Sequence, residues 1–98
     1  MKTITLSNSP AVVIVSDEDY ERVNKFRWFL KQTRNGEFYP ARSVRYGKQI
    51  KTVWLHRFIT DCPSGMTVDH KNMDRLNATR DNLEIVTNEE NIKRRYGQ

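Results

Sequence analysis

Thr and aliphatic residues alternate from Lys2 to Leu6, and Ala11 to Val15 is a short apolar run. Ser7-Asn8-Ser9-Pro10 between them is turn-forming, so the two segments predict a strand pair. Ser16-Asp17-Glu18-Asp19 has the composition of a helix start: a Ser cap, acids in the first turn and an acid three residues on. The helix is expected to run to about Lys25 with Tyr20 and Val23 turned inward. This short acidic helix reads as structural.

Trp28 to Gln32, Phe38 to Arg45 and Gln49 to Val53 are the next three strand-like runs. Arg34-Asn35-Gly36 and Tyr46-Gly47-Lys48 are the turn signals between them, which predicts an antiparallel meander. Trp54 to Thr60 reads as a short helix, and Asp61-Cys62-Pro63-Ser64-Gly65 as a loop. Thr67-Val68 and Leu83 to Val86 predict two further strands, with Leu83 and Ile85 packing beneath a last helix. Thr87-Asn88-Glu89-Glu90 fits a capping box for that helix, in which Glu90 reaches back from the third position. The fold class expected is α+β. Residues 1–53 form an N-terminal antiparallel sheet with a short helix, and residues 54–98 a separate module.

Charge divides the chain the same way. The net charge is +5, which favours a polyanionic partner. Met1 to Val53 holds ten Lys/Arg against five Asp/Glu, whereas Trp54 to Gln98 holds seven of each. Between Phe26 and Val53 there are seven basic residues and one acid, Glu37. The meander therefore reads as a docking surface, with Arg42, Arg45 and Lys48 as candidate phosphate contacts. The plainer alternative is a sheet that is basic only for solubility.

Cys62 is the single cysteine, which excludes an internal disulfide and a Cys-based zinc site and suits a reducing cytoplasm. No apolar run is long enough to span a bilayer and no leader is visible. A cytoplasmic protein, inside a bacterial host cell if phage-encoded, is expected. It needs no membrane and no small-molecule cofactor, and is a monomer or homodimer.

The chemistry concentrates in Val68-Asp69-His70, read with Asn82 and Asn91. Leu55-His56-Arg57 stands upstream, and Lys71-Asn72, Leu76-Asn77, Asp81-Asn82-Leu83 and Thr87 to Asn91 stand between and after. Order and spacing resemble the HNH nucleases, in the variant whose third letter is Asn, and most closely the small phage-type proteins related to homing endonucleases. The resemblance runs from about Trp54 to Arg95. It implies a ββα-metal module, two antiparallel strands followed by a helix, with one divalent cation between them. Asp69 and Asn91 match the metal ligands, His70 the general base, and Asn82 the residue that props the loop and orients His70.

That set has a physical logic. Phosphodiester hydrolysis needs an activated water and a means of absorbing negative charge. A neutral imidazole serves the first near pH 7. A cation on one carboxylate and one amide oxygen serves the second, and two oxygen ligands suit Mg²⁺ or Mn²⁺. Adjacent strand residues point to opposite faces, so Asp69 and His70 share a site only if the strand ends, twists or bulges there. Lys71 to Asp74 is turn-like, which favours an ending. Arg95 falls on the same helix face as Asn91 and reads as a phosphate clamp or as part of a solvated basic tail. Arg57 reads as a phosphate contact or a structural residue, and His56 as a packing residue. Many family members carry Arg after the Asn-Leu pair, where this chain has Glu84. The three-strand-plus-helix unit is also similar in outline to the DNA-binding domain of plant ethylene-response factors, which lays a sheet in the major groove. The function expected is a metal-dependent endonuclease acting on double-stranded DNA. The alternative is a nucleic-acid-binding protein that keeps the fold without cutting.

Overall fold

The alternating N-terminal segment forms strand β1 (Lys2–Leu6), which pairs antiparallel with β2 (Ser9–Val15). The computed structural model describes residues 1–87 and 89. Ile4, Leu6, Val13 and Val15 point into the core, with the exposed Thr5 and the half-buried Ile14 between them. Helix α1 (Asp17–Asn24) follows, with Val23 fully buried and Tyr20 packed at the core's edge. The meander is β3 (Phe29–Gln32), β4 (Phe38–Tyr46) and β5 (Gln49–Trp54), antiparallel throughout. Gly36 and Gly47 turn its two corners at φ 82° and 60°, a backbone region where a side chain is strained.

The second half adds α2 (Leu55–Thr60), β6 (Met66–His70), β7 (Asn77–Ala78), a 3-10 turn (Arg80–Asn82) and β8 (Leu83–Thr87). The strands β6 and β8 form a two-stranded antiparallel ladder. The fold is α+β and mostly strand. The helix expected after β8, which would complete a ββα module, lies outside the described residues. Strand β7 pairs in parallel with β2 through Ile14↔Asn77 and Val15↔Ala78. One hydrophobic cluster joins Val13, Val15 and Trp28 to Leu55, Ile59, Val68 and Leu83. The two halves of the chain therefore share a core.

A charged clamp reinforces this junction. Asp19, read from the sequence as an acid of the helix start, is 1% exposed. Its carboxylate accepts bonds from Arg80 Nε and Nη2, the shortest 2.7 Å, and from Arg22 Nη2 at 3.2 Å. Arg22 also donates to the carbonyls of Phe58 and Ile59, which satisfies carbonyls at the end of α2. Ser16 occupies the N-cap position without capping its own helix. Its Oγ instead accepts from the Arg80 backbone N–H at 2.9 Å. Helix α1 thus grips the turn leading into β8, and acids that looked local serve a tertiary contact.

Removing Arg80 strands the buried Asp19 carboxylate with Arg22 alone. Arg80 is itself half exposed, so solvent screens part of the pair. Arg80→Ala is expected to lower stability in urea by about 2–3 kcal/mol. Arg45→Ala, at an exposed site away from the clamp, should stay within about 0.5 kcal/mol.

Candidate active site

Strand β6 brings Asp69 and His70 to the mouth of a cavity of about 580 Å³. In the ladder Asp69 faces Glu84 and His70 faces Leu83. Burial alternates as a strand requires: Val68 and His70 are buried and Asp69 is half-buried between them. The strand ends at His70, as the turn-like residues after it suggest. Met73 N–H bonds the His70 carbonyl at 2.9 Å, and Met73 itself takes φ 65°. At a strand end, neighbouring side chains both reach one cavity.

The loop from Lys71 to Thr79 is fixed by its own short polar side chains. Asn72 Oδ1 accepts from Asp74 N–H, Asp74 Oδ1 from Leu76 N–H, and Asn77 Oδ1 from Thr79 N–H. Each bond spans two residues, the Asx-turn pattern that makes Asn and Asp turn formers. Asn82 closes the loop from behind. Its Oδ1 accepts from Asn72 N–H at 3.0 Å, its Nδ2 donates to the Asn77 carbonyl at 2.8 Å, and its own carbonyl accepts from Lys71 N–H at 2.8 Å. The buried amide is thus bonded at both ends to the segment that follows His70.

The opposite wall comes from the meander and α2. The rings of Tyr39 and His56 lie 5.8 and 5.2 Å from that of His70, and Trp54 lies 6.4 Å from His56. Burial, aided by His70 and Arg57, pushes the His56 imidazole down to about 3. Among the described residues His56 Nδ1 is buried without a hydrogen-bond partner. Burial also lowers His70 below its ordinary value, against the opposing pull of Asp69. Both imidazoles are held neutral at pH 7. Arg75 crosses the cavity: its guanidinium stands over the Tyr39 ring at 5.2 Å and bonds Glu37 at 3.3 Å. Tyr39 Oη donates to the same Glu37 carboxylate at 2.9 Å.

Asp69, His70 and Asn82 are therefore gathered at one place, whereas Asn91 and Arg95 lie outside the described residues, as do Asn88 and Glu90 of the capping box. Arg57 lines the cavity but gives Nη1 to the Met66 carbonyl at 2.8 Å and Nη2 to that of Pro63 at 3.3 Å. This geometry clamps the 61–66 loop. Arg42 and Arg45 lie three apart on β4 and so on opposite faces of the meander. Lys48 sits in the β4–β5 turn. Ile85, expected to pack with Leu83, is exposed, and Val86 is buried in its place. Sequence reasoning missed Tyr39, Arg75 and Glu37 as members of the site. Glu37 carried a signal, being the lone acid in a basic stretch.

Among the described residues no three His, Cys, Asp or Glu side chains converge as a metal centre. The donor chemistry present suits a hard cation: the Asp69 carboxylate at an open cavity, with room for water and phosphate oxygens. No helix among the described residues is long and apolar enough to cross a membrane.

Residues 53–93 match the family model described as HNH endonuclease. Comparison with curated proteins and with solved structures finds no match.

A buried histidine that stays neutral in the fold makes stability depend on acid. The unfolded chain takes up a proton near pH 6.5, and the folded His56 only near 3. The unfolded state therefore binds more protons between these values, and stability falls as pH falls through that window. His56 alone should cost about 2 kcal/mol between pH 7 and 5. Urea melts of His56→Gln against the parent at pH 7 and 5 test this, and the variant should lose less stability on acidification.

Proposed function

We propose, on the premise that residues 53–93 belong to the HNH endonuclease family, that this protein is a metal-dependent endonuclease of double-stranded DNA. The observation that carries the reading is the meeting of Asp69 and His70 at one cavity, with Asn82 bonded behind them. His70 acts as general base. Its burial keeps the imidazole neutral, which is the form able to accept a proton from water. Tyr39 and His56 restrict the ring from the far wall.

Asp69 and Asn91 are the residues that would hold a divalent cation, Mg²⁺ or Mn²⁺ by donor type. When bound, such an ion supplies charge stabilisation at the scissile phosphate. Glu84 stands directly across the ladder from Asp69, so this position brings a second carboxylate where many HNH proteins carry Arg. Asn82 acts through the backbone of the 71–77 segment, and is a positioning residue.

Single-turnover cleavage of a labelled duplex tests the assignment. His70→Ala should bind duplex and metal as the parent does, yet cut about 10²–10⁴-fold more slowly. Cleavage at the parental rate would remove His70 from the chemistry. Calorimetric titration should show weaker Mn²⁺ binding in Asp69→Ala and in Asn91→Ala, with the larger loss for Asp69 because a charge goes with it. Unchanged affinity in both would exclude them as ligands.

Asn82→Ala should lose more activity per folded molecule than its drop in stability explains. If rate per folded molecule equals the parent's, Asn82 is an ordinary turn residue.

A further inference from the structure

The two faces of the meander differ in what their cations do. Cross-strand partners share a face, and residues two apart on a strand share it too. Tyr39, Ala41, Ser43 and Arg45 of β4 therefore lie on one face, with Lys31, Trp54, Thr52 and Ile50 as their neighbours in register. This is the face of the cavity, because Tyr39 and Trp54 line it. The other face carries Arg42, Val44 and Tyr46 with Val53, Lys51 and Gln49 opposite.

On that other face both cations are placed on rings. Arg42 stacks over Phe26 at 3.8 Å, and Lys51 stands over Tyr46 at 5.6 Å. On the cavity face Lys31 and Arg45 are exposed, and among the described residues neither has an ion pair or a ring contact. No acid lies between Phe38 and Trp54 to neutralise Arg45.

From this asymmetry we infer that the cavity face of the meander, through Arg45, Ser43 and Thr52 to Lys48 at the tip, is the track along which duplex DNA leaves the active site. The inference rests on the nucleic-acid reading above and adds its direction. Tyr39 to Arg45 spans roughly 20 Å of strand, the rise of roughly six base pairs. The side chains suit a backbone: a guanidinium and two hydroxyls for phosphate oxygens. Ile50, 63% exposed, offers apolar contact. A single strand is recognised instead by stacking on aromatic rings. The outer part of this face carries none, since Tyr46 lies on the other side.

The experiment is fluorescence anisotropy of a labelled duplex with the full chain, in chelator to prevent cutting, at several salt concentrations. One lost phosphate contact flattens the log–log salt slope by about one unit and weakens binding roughly five- to tenfold near 0.1 M salt. Arg45→Ala should show both changes, and Arg45→Glu a greater loss. Arg42→Ala should bind within about twofold of the parent with its slope intact. Should it melt early without its Phe26 stack, Arg42→Gln under the same assay replaces it. A flattened slope for the Arg42 variants with a silent Arg45 would put the duplex on the opposite face and overturn the inference. Silence of both would also overturn it. An unlabelled single strand of the same sequence should compete more weakly than duplex, and equal or stronger competition contradicts the choice of partner. These outcomes separate from the cleavage reading: a chain that cuts while Arg45 is silent loses the track alone. A chain that binds through Arg45 but never cuts with metal loses the nuclease assignment alone.

Discussion

Asn82 gives both ends of its amide to backbone, one to Asn72 and one to Asn77. Everything that turns the end of β6 into a site depends on that pair of bonds. A loop returning from a strand has backbone donors and acceptors that must be met, or it frays into water. Here a buried side chain meets two of them and ties the residues just past His70 to the start of β8. The Asx turns inside the loop are local and weak alone. Closed by Asn82, they become a rigid return.

The turn that carries Asn82 is itself held from a distance. Arg80, two residues earlier, is bound to the buried Asp19 of α1, and its backbone N–H is bound to Ser16. β7 adds a short parallel pairing to β2. The N-terminal hairpin and helix thus support the loop behind the site, while the meander supplies its far wall. Neither half of the chain makes the cavity alone: Glu37 and Tyr39 come from one segment, and Asp69 and His70 from the other.

Legibility in the sequence followed the range of the interactions. The strands of the meander and of β6 and β8 were visible because alternation and turn residues are local signals. The meeting of Asp69 and His70 was readable as a condition on the strand, and the strand does stop at His70. What the sequence hid was tertiary. β7 is two residues with no pattern of their own, made a strand by Ile14 and Val15. Asp19 read only as a helix-start acid because its partner stands 61 positions away. Arg42 and Arg45 looked like one basic patch, although strand parity sends them to opposite faces. Tyr39 carries no chemistry in its local sequence and joins the site only through the sheet's placement against β6.

The central claim is that this preformed cavity hydrolyses DNA with a divalent cation. Supercoiled plasmid incubated with the protein in Mg²⁺, with and without excess chelator, tests it most directly. The account predicts conversion to nicked or linear plasmid in Mg²⁺ and none in chelator. Plasmid that is retarded on binding yet stays supercoiled in Mg²⁺ and in Mn²⁺ would contradict it, and would leave a protein that holds DNA without cutting it.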